Sequence, residues 1–133
     1  MKYRMLLVIL IGAFLFSTIA YAHHSFGAVY DGKKTIKLEG KLVQFSFRNP
    51  HSFVNMEAAD ESGAMQRWAL EWSAAGALGG QGVTKDTLKV GDHIIITGHP
   101  SRVPGEYRVQ MQTLKRTSDG FTWGARPGET NVD

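Results

Sequence analysis

The side chains able to do chemistry in this chain are five histidines, His23, His24, His51, His93 and His99, and one acid set among apolar neighbours, Glu71. Imidazole is a ligand for Zn and Cu and a base near neutral pH. There is no cysteine, which excludes thiolate metal sites, disulfides and a lipoprotein anchor. No HExxH, GxSxG, P-loop or dinucleotide fingerprint is present, so the sequence assigns no catalytic residue.

What His23 can do depends on what precedes it. Lys2 and Arg4 give a short positive start, and Met5 to Ile19 is apolar except for Gly12, Ser17 and Thr18. Ala20-Tyr21-Ala22 then supplies a small-x-small cleavage pattern, so residues 1–22 read as a secretory signal peptide. An uncleaved anchor is the alternative, but a spanning helix wants about 20 apolar residues and this run is shorter. Cleavage after Ala22 makes His23 the amino terminus. Its free amine and ring Nδ1 can then chelate one metal, and a second imidazole completes a T-shaped set of three nitrogens that suits Cu(II). His24 offers another copper mode, through the amine, a deprotonated amide and its own ring. The amine must first lose its proton, so binding strengthens as pH rises toward about 8.

His51 is the best partner, because Asn49-Pro50-His51 marks a turn between strands that can present it rigidly. The plainer reading is a turn residue packed on the leader. His99 precedes a proline at the end of a strand, near a barrel rim, and with His93 it is expected to be solvated or hydrogen-bonded before it is a ligand. The metal set read from the sequence is therefore His23, His24, His51 and His99.

The mature part, 23–133, has the length of one domain. Two of the fifteen basic residues, Lys2 and Arg4, lie in the signal segment, leaving thirteen against twelve acids, a net charge of +1. Such a balance gives little support to a nucleic-acid surface.

The mature chain reads as all-β with one short helical connection. Residues 23–34 are polar and broken by glycine, a leader arm. Ile36, Leu38, Gly40 and Leu42 share one parity; Val43, Phe45 and Phe47 take the other. Faces alternate with period two, so this switch needs a bulge or bend, which Gly40 would ease. Val54, Met56 and Ala58 define a second strand, and Trp68, Leu70 and Trp72 a third, with Asp60-Glu61-Ser62-Gly63 as their hairpin loop. Ser73 to Gly82 is small and glycine-rich, and Thr84 to Leu88 has the chemistry of a capped helical turn. His93–Gly98 and Tyr107–Leu114 follow as strands, the latter with Tyr107, Val109 and Met111 inward. The tail, 117–133, holds one short strand at Phe121-Thr122-Trp123. Three strands, a helical connection and two strands describe a five-stranded OB-like barrel, with a two-sheet β-sandwich as the alternative.

Glu71 shares its strand face with Arg67 and Ala69. A pairing with Arg67 or with solvent is the plain expectation; a carboxylate that orients a histidine or joins a metal shell is the functional one. Phe45, Phe47, Arg48, Phe53, Trp68 and Trp72 invite a single-strand nucleic-acid reading, but export and the small charge favour placing most of them in the core.

Three segments together carry a family likeness: His23-His24-Ser25-Phe26 with Tyr30-Asp31, Asn49-Pro50-His51, and Trp68-Ala69-Leu70-Glu71 followed by Gly82 to Asp92. They resemble the DUF6152 family, small exported bacterial proteins of unknown function. The resemblance implies a periplasmic location and a β-rich single domain, and carries no activity. That family has a Ser-Pro-Asn-like segment and larger residues after the third strand. The small residues from Ser73 to Gly82 depart from this and imply a more flexible connection.

These readings converge on an exported binding protein rather than an enzyme, holding Cu(II) through the mature amino terminus. The alternative is a periplasmic module for a small molecule or polymer, with no metal and no membrane contact after signal cleavage.

Overall fold

The computed structural model describes residues 25–124. The segment read as a signal, His23 and His24, and the chain beyond Gly124 lie outside the described residues.

The first strand, β1 (Ile36–Ser46), pairs antiparallel with two neighbours in succession. Its first part lies against β4 (His93–Pro100) and its second against β2 (Phe53–Ala59), with Gly40 and Lys41 paired to both. The register shifts between Leu42 and Gln44. Val43 is thereby left unmatched, and Phe45 turns to pack on the same core as Leu38 and Leu42. This bulge is the parity switch expected from the sequence. Gly40 has a different role from the one expected. A Cβ there would sit 2.0 Å from the Glu57 carbonyl oxygen, so glycine is demanded by close approach of the β2 backbone.

β2 continues through the predicted hairpin into β3 (Met65–Glu71). Asp60 organises the turn, accepting hydrogen bonds from the Ser62 hydroxyl (2.6 Å) and from the Ser62 and Ala64 amides. The Ser62 hydroxyl is the main cause holding its carboxyl down at about 2. After β4 the chain returns as β5 (Arg108–Arg116), which pairs antiparallel with β4 and parallel with β3. That parallel contact, Ala69–Glu71 beside Arg108–Gln110, closes the order β3-β2-β1-β4-β5 into a five-stranded barrel of OB type. Closure rules out the sandwich, whose two sheets would stay unjoined. The expected terminal strand is present as β6 (Thr122–Trp123), paired to β5 at Leu114 and Lys115. Leu42, Val54, Met56, Leu70, Ile94 and Ile96 fill the barrel and have no contact with solvent.

Two expectations fail in the β3–β4 connection. The five-residue helix lies at α2 (Ala75–Gly79), within the stretch expected to be flexible, and Leu78, fully buried, pins it to the core. Thr84 to Leu88, despite its capping chemistry, forms only turns, with the Thr84 amide donating to the Thr87 hydroxyl at 2.8 Å. Burial of one leucine outweighs intrinsic propensity over so short a segment.

The leader arm begins as a short helix, α1 (Ser25–Val29), and then runs along the β4–β5 loop. The Asp31 amide donates to the Pro100 carbonyl (2.9 Å), the Arg102 amide to Val29 (2.9 Å), and Arg102 Nε to the Gly27 carbonyl (2.8 Å). Tyr30 forms a bridge with Ser101 and is buried.

Candidate functional site

The residue that organises the site is Glu71. It ends β3 on the outer face of the barrel, yet the arm covers it and only 7% of its surface is exposed. A buried carboxylate must find donors, because stripping its water without replacement is costly. Three side chains supply them. Arg108 Nη2 donates to Oε2 at 2.8 Å, the Tyr30 hydroxyl donates to the same oxygen, and His51 Nδ1 lies 2.6 Å from Oε1. Burial alone would raise the carboxyl's pKa, but the bonds from Tyr30, Arg108 and His51 together hold it below the ordinary carboxylate value.

Each donor comes from a different element. Arg108 opens β5 and pairs with Ala69 in register, two residues before Gln110 pairs with Glu71. Its guanidinium lies over the Tyr30 ring at 5.6 Å and the Phe53 ring at 5.9 Å. Tyr30 arrives with the arm. Burial first, and then the bond to Glu71, push its hydroxyl's pKa well above the usual tyrosine value.

His51 sits in the β1–β2 loop, which is fixed through its neighbour Ser52. The fully buried Ser52 hydroxyl accepts from the Arg48 amide (3.1 Å), and the Ser52 backbone pairs with Ser73 and Trp72. Asn49 Oδ1 accepts from the Gly76 amide at 3.3 Å, tying the loop to α2. Phe26 of α1 packs on the His51 ring at 5.0 Å between centroids.

An ionised carboxylate can only accept, so the Nδ1 of His51 carries a proton, and in the neutral ring Nε2 presents a lone pair. Nε2 has no hydrogen-bond partner among the described residues, and the side chain is 35% exposed. An imidazole oriented by a carboxylate through one nitrogen, with the other open, is the arrangement of a metal ligand or of a general base. His51 also borders a cavity of about 380 Å³, shared with Phe26, Glu71, Trp72 and Trp123.

The other sequence-predicted ligands are distributed differently. The Nδ1 of His99, on β4, hydrogen-bonds with the Lys34 carbonyl at 2.7 Å. His93 lies 3.7 Å from Glu39 at the opposite end of β4. Among the described residues no three metal-binding side chains converge, so a metal at His51 needs donors from elsewhere in the chain. The expected pairing of Glu71 with Arg67 is not made. Arg67 stands opposite Glu57 and is exposed, while Glu71 takes the functional alternative of orienting His51.

Sequence reasoning did not find Arg108, Ser52 or the role of Tyr30. Arg108 carries no local signal, since its partner lies 37 residues away. Tyr30 entered the sequence reading only with Asp31, in the segment that carries the family likeness.

The tyrosines give a direct check. Both tyrosines of the described chain are raised, Tyr107 by burial and then by its bond to Asp60. Raised groups contribute stability that is complete below about pH 10 and is lost as pH rises through the folded value. An alkaline absorbance titration of the chain starting at His23 should therefore show no tyrosinate forming at the ordinary value while the fold persists. A full transition near pH 10 in folded protein would contradict the Tyr30–Glu71 contact.

The model of a family of unknown function, DUF6152, matches residues 13–108. The chain belongs to the DUF6152 family. Tyr30, His51, Glu71 and Arg108 all lie within the span matched to DUF6152, whereas most of β5 and all of β6 lie beyond it. No curated protein and no solved structure matches the chain. Membership of DUF6152 therefore supplies a family and no activity.

Proposed function

We propose that this DUF6152 member is an exported, periplasmic Cu(II)-binding protein whose signal peptide is cleaved after Ala22. The ion is held by the amine and ring of His23 together with Nε2 of His51, and Glu71 fixes the tautomer and direction of the His51 ring. His24 and His99 are supporting donors, the His99 ring being held through Nδ1 by the Lys34 carbonyl.

The observation that carries this reading is the Phe26–His51 contact. His23 is three residues before Phe26, and three residues of chain reach roughly 10 Å. The free amine is thus within range of His51, whose ring Glu71 orients and whose Nε2 has no partner among the described residues. The competing module without a metal draws on the same contact, with Phe26 and Tyr30 serving only to tether the arm.

Intact mass of the secreted protein should give a chain starting at His23, and calorimetry should give one equivalent of Cu(II), bound more tightly as pH rises toward about 8. One extra residue before His23 should weaken binding by at least about a hundredfold, since loss of even an outer-shell partner costs 10–100-fold. A different start, or an extension without effect, overturns the reading.

A further inference from the structure

The cavity beside His51 has features that metal binding does not use. Its ionisable linings are His51 and Glu71, and both oxygens of Glu71 are taken by Tyr30, Arg108 and His51. No unpaired carboxylate and no Lys or Arg side chain lines it. Gln110, Gln112 and Ser73 line it, and none of the three side chains has a hydrogen-bond partner among the described residues. Each amide offers donors and an acceptor side by side.

Trp123 lines the same cavity, half-buried and held by three contacts. Its Nε1 donates to Gln81 Oε1 at 2.5 Å, its ring meets Trp72 edge-to-face at 5.0 Å and 78°, and its backbone pairs with Leu114. Gly124 locks the position from behind: with φ +77° it lies so close to β5 that a Cβ would be 2.1 Å from the Gln112 carbonyl oxygen. A fixed aromatic side chain in one cavity with unpartnered neutral amides, and with no Lys or Arg in the lining, suits a ring that is apolar on its face and hydroxylated at its rim. The volume falls within the range of about 300–1,000 Å³ common for small-ligand sites.

We infer that this cavity is a binding site for a neutral saccharide unit, stacked on Trp123 and hydrogen-bonded by Gln110 and Gln112. The site needs no metal, so it stands or falls separately from the copper centre.

The test uses the metal-free mature chain, labelled with ¹⁵N, with cellobiose and N,N′-diacetylchitobiose as probes. At least one of them should move the Trp123 indole signal and the side-chain amide signals of Gln110 and Gln112 saturably. Trp123→Ala should weaken binding about five- to tenfold, the scale of one aromatic contact. The Gln110→Ala, Gln112→Ala double variant leaves the buried core untouched and should weaken it by a similar factor. Glucuronate should bind no better than glucose. Absence of any saturable shift with both disaccharides overturns the inference, as do shifts undiminished in both variants or preferential binding of free indole. Because no copper is present, failure here leaves the copper reading intact, and a failed copper titration leaves this one intact.

Discussion

Replacing Glu71 with alanine is expected to cost about 2–4 kcal/mol of folding stability near pH 7, measured by chemical denaturation of the mature chain. Removing one member of a buried ion pair typically costs 3–5 kcal/mol, because its partner is left charged and unpaired. The lower range applies here because Arg108 and His51 are each about one-third exposed, so water recovers part of the loss. Arg108 Nε is buried without a partner, and the guanidinium would lose the only carboxylate it pairs with among the described residues. The Tyr30 hydroxyl would lose its acceptor as well, loosening the arm. Glu71→Gln keeps shape and an acceptor and should cost less, roughly 1–2 kcal/mol.

The pH dependence separates charge from packing. The carboxyl's folded pKa is depressed, so its stabilisation is in force above the ordinary value of 4.5 and is lost as pH falls through the folded value. The gap between native protein and Glu71→Gln should therefore close as pH drops below about 4.5. A gap that is constant down to the acid transition, or a Glu71→Ala variant within about 0.5 kcal/mol of the native protein, would show that the network does not support the fold.

The second large effect is expected at Gly40. Gly40→Ala should destabilise the barrel by about 3 kcal/mol or more, at or beyond the upper end for overpacking, because the new methyl meets a backbone carbonyl at 2.0 Å rather than a side chain that can swing away. Backbone there is held on both sides, by Ala58 of β2 and Ile94 of β4. Gly76→Ala is the control. Nothing lies within 4 Å of its added Cβ, and alanine in α2 should stabilise by about 0.5–1 kcal/mol. A Gly40→Ala protein that unfolds with the native midpoint would contradict the double pairing of β1.

These two positions mark how far the sequence could be read. Both stood out in one dimension, Gly40 beside a parity switch and Glu71 as an acid among apolar residues. Period-two faces are local, so the inward sets on β2 and β3 and the bulge at Val43 were legible from alternation alone. The reason for each anomaly was not local. Gly40 is fixed by Glu57 across the sheet, and Glu71 by Tyr30 and Arg108, 41 and 37 residues away. Nothing in the spacing of an arm tyrosine and a strand arginine announces that barrel closure brings them to one carboxylate. The α2 helix was hidden for a related reason. Two of its five residues, Gly76 and Gly79, are poor helix formers, and the burial of Leu78 selects it over the better-capped Thr84 segment.

His51 was legible as a presented turn residue, and what closure adds is its orientation. With Nδ1 committed to Glu71, the direction of Nε2 is set by the barrel, while Phe26 brings the arm against the ring. The central claim is that the amino terminus of the arm and the loop histidine hold one ion between them. Electron paramagnetic resonance of the one-to-one Cu(II) complex tests it most directly, by counting the nitrogens coupled to the metal. The chain starting at His23 should show three equatorial nitrogens, and His51→Ala should lose one imidazole while the fold and the bound amine remain. An identical nitrogen pattern in His51→Ala would contradict the claim, because the ion would then be held by the arm alone.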